Sequence, residues 1–441
     1  MNSSSGSNPH ASPTDSSLEH SLGPKSHGIP DRWFILSLLA VNYFTLYLHR
    51  NLIQYVQPPL VEDLGLTDTQ LGWLDAGFRI AYAFAQLGVG YFGDRYRRKL
   101  VLLLSLGTST VFLGMTGLAQ DFTQLLMLRI LLAITQSASV PAIASLMADA
   151  FTARSRSRAI SIYLFASPLS IAVAGWLGGF LADLTSWRMM FGVFAGFGGL
   201  VVLGIALLLR EPERTERVQG SGLGADGGSL LQTLWSVLTV PSFLLLSAAY
   251  LAANAAGQLT VFWLPRYFYD VFEMTSLAEA GKLATLPTQA GTIVGLLLGG
   301  VCADRLAKRW ISGRFAVQCI GMLICVPAIT VMSISTDRGV LTVAMFVYGL
   351  ASWLYFSNLW ASTFDVVDPA ARATAIGLLN VIAGLFGAWL SPFVGGLYES
   401  GRITSLGTAF LGTAVLAGVA AALIGAIIVF TLRRDFKGST Q

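Results

Sequence analysis

Apolar residues fill the chain in twelve long runs, at about 33–57, 69–92, 100–119, 123–150, 157–183, 189–209, 239–264, 282–303, 313–333, 339–365, 371–397 and 405–431. Each is near or above the roughly 20 residues that a spanning helix needs, and short polar stretches separate them. The pattern predicts an all-α integral membrane protein with twelve transmembrane helices. Residues 1–31 are rich in Ser, Pro, Gly and His and carry no apolar run, which predicts a disordered cytoplasmic tail. A six-helix bundle over 32–210, a cytoplasmic linker over 211–236, a second six-helix bundle over 237–432 and a tail over 433–441 complete the expected organisation.

The polar breaks repeat. Gly90 to Lys99 reads GYFGDRYRRK and Gly300 to Arg309 reads GVCADRLAKR, so a glycine, an Asp-Arg pair and a basic pair recur at an offset of 210 residues. A second echo places Asp149 ahead of Arg156 and Asp365 ahead of Arg372, 216 residues apart. One half of the protein is thus a copy of the other. Such pseudo-repeats build a bundle around a central cavity, with the site near mid-membrane where the halves meet. Gly90, Asp94, Arg95, Arg98, Asp149, Arg156, Gly300, Asp304, Arg305, Asp365 and Arg372 are the candidate conformational gate.

Composition supports the membrane reading: 54% of residues are hydrophobic, 12% are charged and the mean hydropathy is +0.65. The net charge of +4 does not point to nucleic acid, because most of the 28 Lys and Arg collect in short loops on the face holding both termini. That bias predicts cytoplasmic termini. Cys302, Cys319 and Cys325 lie in apolar runs without C-x-x-C spacing, and His10, His20 and His27 lie in the tail, so no metal site is expected. With no H-x-x-x-H, no G-x-S-x-G and no Walker loop, neither an enzyme nor an ATP-driven pump is expected, and no cofactor.

Three arginines remain inside the apolar runs: Arg50, Arg79 and Arg129. Arginine at the centre of a spanning helix costs about 2.5–3.5 kcal/mol on insertion scales, so it faces a polar cavity and a partner. Arg50 shares a helical stripe with Tyr43 and Gln54, and Gln136 follows Arg129 on the same face. Asp75 and Arg79 form an i, i+4 pair. Arg50 and Arg129 can bind a carboxylate, sulfate or phosphate, or one of them can brace the bundle against Asp75. Tyr82 joins them as a candidate contact. The second half offers uncharged groups: Asn254, Gln258, Gln289, Asn358, Trp360 and Asn380. These serve as substrate contacts or as interhelical hydrogen bonds.

The G-x-x-x-D-R-x-x-basic-basic loop resembles that between the second and third helices of the major facilitator superfamily, and the chain is identified as a member. Arg97 and Ala307 stand where the family usually has a glycine. The resemblance implies that Asp94 latches the halves and releases during transport. Two branches are similar over most of the chain. NYFTLYLHRNLIQYVQPPLVEDLGLTDTQLGWL and SNLW…GLLN resemble the anion:cation symporters of sugar acids. EDLGLTDTQLG, RILLAITQSAS, WRMMF and REPER resemble the Spinster-like transporters.

Both branches usually have Asp where His49 stands and Glu where Gln136 stands, and in them that Glu implies proton coupling. A carboxylate beside an arginine alternates between paired and protonated states, and Gln136 cannot. His49, with an ordinary pKa of about 6.5, Asp75 and Arg79 are the remaining coupling candidates. The expected function is carriage of a small organic anion, a sugar acid or another carboxylate, with a co-transported proton or sodium. The alternatives are an uncoupled facilitator or exchanger, and a Spinster-like carrier of lysolipid or amphiphile. A monomer in the lipid bilayer of the cell inner membrane is expected.

Overall fold

A computed structural model describes residues 32–93, 97–210 and 230–437. These residues are helical apart from short turns, and they make twelve rods: α1 (Arg32–Asn51), α2 (Asp68–Gly93), α3 (Arg98–Thr116), α4 (Phe122–Ala150), α5 (Arg158–Leu184), α6 (Trp187–Leu208), α7 (Pro241–Val271), α8 (Leu277–Ala307), α9 (Gly313–Ile334), α10 (Arg338–Val366), α11 (Arg372–Glu399) and α12 (Leu406–Asp435). Ten of them, α3 to α12, are long and apolar enough to cross a membrane. The two that fall short, α1 and α2, carry Arg50, Asp75 and Arg79. A short helix, Leu230–Leu238, begins inside the stretch expected to be linker.

Local chemistry starts several rods where the sequence does. Asp121 caps α4 by accepting the Gln124 amide, and Asp337 caps α10 by accepting the Val340 amide, each at 2.8 Å. Such caps satisfy amides that have no partner within the helix. Ser186 and Ser276 do the same for α6 and α8.

The packing repeats as the sequence does. In the first half α1 lies on α5 and α6, α2 on α4, and α3 on α4 and α6. The second half repeats it, with α7 on α11 and α12, α8 on α10, and α9 on α10 and α12. Between the halves the chain that follows α1, residues 52–64, meets α7, and the two largest contacts are α2 on α11 and α5 on α8. Both use glycine to bring backbones together, as membrane helices do without a hydrophobic drive between them. A Cβ on Gly281 would lie 2.1 Å from the Gly175 carbonyl oxygen, and one on Gly72 would lie 2.4 Å from the Pro392 backbone. Gly175 sits in a π-helical turn of α5, Ala174–Gly178, which presses that backbone toward α8.

Hydrogen bonds and an ion pair join the halves at the end of the bundle away from Arg32 and Lys437, and at the Asp75 level below it. The bundle is therefore held shut at that end.

Candidate functional site

The site grows from a break in α1. After Asn51 the chain makes a tight turn, Leu52–Tyr55, and a short helix, Gln57–Leu64, opened by Pro58 and Pro59. Proline cannot continue a helix, because it lacks the amide and clashes with the preceding turn. The last carbonyls of α1 therefore need outside partners. Arg129 of α4 supplies one, its Nη1 donating to the Arg50 carbonyl at 3.0 Å and its Nε to the Leu74 carbonyl at 3.4 Å.

Arg50 projects into a cage of rings. Its guanidinium carbon lies 4.8 Å from the Tyr47 ring centre, 5.0 Å from Phe78 and 4.5 Å from Tyr82. The Phe78 ring also faces Arg129, at 4.7 Å, so one buried ring is shared by two cations. Phe78 and Tyr82 stack at 5.9 Å, and Tyr43 extends the wall by meeting Tyr47 at 4.5 Å and Tyr163 at 4.2 Å. Ring faces attract cations but do not neutralise them. The buried Nε of Arg50 has no hydrogen-bond partner.

Neither Arg50 nor Arg129 is within ion-pair distance of a carboxylate among the described residues. Asp75 is the acidic side chain within electrostatic reach of Arg129, and it is engaged. Its Oδ2 accepts from Arg79 Nε and from Ser391 Oγ, both at 2.8 Å. The second bond crosses from α11, so the Asp75–Arg79 pair is also a contact between the halves.

The other candidates divide. Gln136 is buried, donates to the Leu46 carbonyl at 3.3 Å and leaves its Oε1 without a partner. His49 lies on another face of α1 from Arg50, fully buried against Gly198 of α6 and Thr110 of α3. Gln54 sits in the turn and donates to Asn51. In the second half, Asn358 spends its amide on the Gly299 and Leu354 carbonyls, Asn254 donates to the Ala383 carbonyl and Gln258 to Asn254. Trp360 meets Tyr250 edge-on at 6.2 Å, Asn380 is half-buried on α11, and Gln289 lines a small cavity with Thr285, Thr260 and Tyr55.

The gate candidates hold helices together within one half. Arg98 pairs with Asp149 between α3 and α4. Arg314 pairs with Asp365 at 2.8 Å between α9 and α10, and Asp304 lies 3.6 Å from the same arginine. Arg372 donates to the Phe364 carbonyl, Arg305 is exposed and Gly300 has open space beside it. Asp94 and Arg95 lie outside the described residues, as do the surroundings of Gly90 and the side chain of Arg156.

The shut end carries two clamps that sequence reasoning missed. Asp183, at the end of α5, accepts the Leu277 and Ala278 amides and the Ser276 hydroxyl at the start of α8, at 2.7–2.9 Å. Glu399, at the end of α11, accepts the Thr69 amide and hydroxyl at the start of α2. Each is a carboxylate on a helix N-terminus, where the dipole favours negative charge. They stand 216 residues apart, the spacing of Asp149 and Asp365, and that offset was the signal that could have found them. Phe78 also had a signal, since Asp75, Phe78 and Tyr82 fall on one helical stripe.

Residues 39–392 match the family described as Major Facilitator Superfamily. The chain belongs to that family. This facilitator is 29% identical to an MFS-type efflux pump of Mycolicibacterium smegmatis, over 91% of this chain and 92% of the other. It is 26% identical to a hexuronate transporter of Bacillus subtilis, over 84% and 88%. Its fold matches a bacterial homologue of the human lysosomal transporter Spinster, solved inward-facing and unoccupied, with a TM-score of 0.72 at 21% identity over 93% and 98% of the two chains. As a facilitator-superfamily member it is a multi-pass membrane transporter and not an enzyme.

Proposed function

We propose that this facilitator moves a small organic anion, a sugar acid or another carboxylate, by rocking its two halves about a site at Arg50. One observation carries the reading. Among the described residues, the groups around the break in α1 include three guanidiniums, Arg50, Arg79 and Arg129, against one carboxylate, Asp75. Unpaired charge is costly away from bulk water, so the site is complete only when a ligand brings negative charge.

Arg50 is the anion contact, because its buried Nε is unpartnered and a guanidinium can grip a carboxylate with two donors, although Arg50 is also hydrogen-bonded to Tyr82. Arg129 supports it from behind through the Arg50 carbonyl. The kinship to a hexuronate transporter supports the sugar-acid class. On this reading the membrane is the cell inner membrane, with both termini cytoplasmic, and the shut end faces outward. The rings around Arg50 also favour a second reading, an amphiphile such as a lysolipid whose head is anionic.

A thermal-shift screen of the purified protein against sugar acids, dicarboxylates, simple sugars and lysolipids tests the proposal, since a ligand of the folded state raises Tm. A rise with a sugar acid that disappears in Arg50→Ala is expected. A rise only with neutral sugars overturns the anion reading, and one only with lysolipids selects the second.

A further inference from the structure

The charge balance of the site also bears on how the empty carrier returns. Asp75 is the one described carboxylate near the three arginines, and both of its bonds meet on Oδ2, from Arg79 and from Ser391. Where α4 faces α1 stands Gln136, bonded to the Leu46 carbonyl, with a buried Oε1 that accepts nothing. An amide neither gains nor loses a proton in this range. His49 is adjacent in sequence to Arg50 but packs away from it, against Gly198 and Thr110, and its protonation would add positive charge. Among the described residues, then, the site carries two positive charges in excess. No described carboxylate besides Asp75 stands near enough to offset them.

Alternating access takes the site through a state closed at both ends, where bulk water no longer screens it. A bound anion offsets the guanidinium charge during that passage. Without it, two unneutralised cations must be occluded together, at the cost that any unpaired buried ion carries. We infer that the carrier reorients only when loaded and is an obligate anion exchanger, trading one organic anion for another across the membrane. This rests on the anion reading above.

The test uses the full chain in liposomes, with labelled D-glucuronate, D-glucarate and sulfoacetate as probes and with valinomycin and potassium clamping the voltage. Uptake is compared between vesicles preloaded with the same unlabelled anion and vesicles holding only Tris chloride. Uptake at least about tenfold faster into preloaded vesicles is expected, given the cost of occluding unpaired charge. Gln136→Glu adds a titratable carboxylate on the Arg129 face of α4, and this variant is expected to gain uptake into unloaded vesicles that rises with an inward proton gradient.

Equal uptake into loaded and unloaded vesicles by the unaltered chain overturns the exchange proposal and leaves the anion reading standing. So does a thermal shift without uptake in either condition. Absence of any thermal shift with all three probes removes the anion reading, and exchange with it. The wild-type comparison decides the matter even if Gln136→Glu fails to fold.

Discussion

The two halves of the molecule pack their helices alike and furnish the cavity differently. Arg98–Asp149 in the first half recurs as Arg314–Asp365 in the second, and Asp183 on the start of α8 recurs as Glu399 on the start of α2. Around the cavity the likeness ends. Asp75 and Arg79 correspond, 210 residues on, to Thr285 and Gln289, and the second half has no counterpart to Arg50 or Arg129. The repeated pairs join helix to helix and half to half, so rocking meets the same grip on both sides. The residues proposed for the site differ: the first half supplies the charge together with the rings around Arg50, and the second supplies uncharged groups.

The largest expected effect comes from breaking the shared grip. Gly281→Leu would drive a side chain into the Gly175 backbone, and closure at that end is expected to fail. Transport should stop while the folded protein persists. A cysteine in place of Gln289, in a chain lacking Cys302, Cys319 and Cys325, should then be labelled from outside by an impermeant maleimide.

Next comes the unshared charge. Arg50→Gln is expected to weaken anion binding by roughly 30- to 5,000-fold, the range for truncating one partner of a buried charge pair. Gln258→Ala, in the neutral half, should change it by less than about fivefold, the scale of one net hydrogen bond. Binding isotherms on the two variants compare the halves directly.

Arg129→Gln should act mainly on stability, because its guanidinium ties the end of α1 to α2 through the Arg50 and Leu74 carbonyls. A loss of about 1–3 kcal/mol is expected when those carbonyls lose their donor. Thermal melting of the ligand-free protein measures it.

The smallest effects sharpen the symmetry. Asp183→Asn and Glu399→Gln should each raise the labelling rate of the Gln289 cysteine by about two- to fivefold, the scale of a charge at a helix terminus. The two should be alike, and their effects multiplicative. Unequal effects would mean that the halves are not gripped equally.

Much of this was legible in the sequence. Run length gave the helices, and the repeated GYFGDRYRRK and GVCADRLAKR gave the duplication, because both signals are local or periodic. Arg50 was found because charge inside an apolar run stands out, and the Asp75–Arg79 pair because i, i+4 neighbours must meet. What Arg129 holds was not legible. Backbone carbonyls leave no mark in a sequence, and their need for a partner arises from the break after Asn51. Asn254 and Asn358 looked like cavity contacts for the same reason, and the structure gives their amides to the Ala383, Gly299 and Leu354 carbonyls. Ser391 reaches Asp75 across 316 residues, a contact that only the closed bundle creates.

The central claim is that Arg50 holds the anion. Its most direct test is isothermal titration of the purified protein with the sugar acid or dicarboxylate that raises Tm most, beside the amide of the same compound, which keeps the shape and removes the charge. Binding of the acid, loss of it in Arg50→Gln and no binding of the amide to either protein are the expected results. Equal affinity for acid and amide, or an Arg50→Gln variant that binds the acid as tightly as the unaltered chain, would contradict the account.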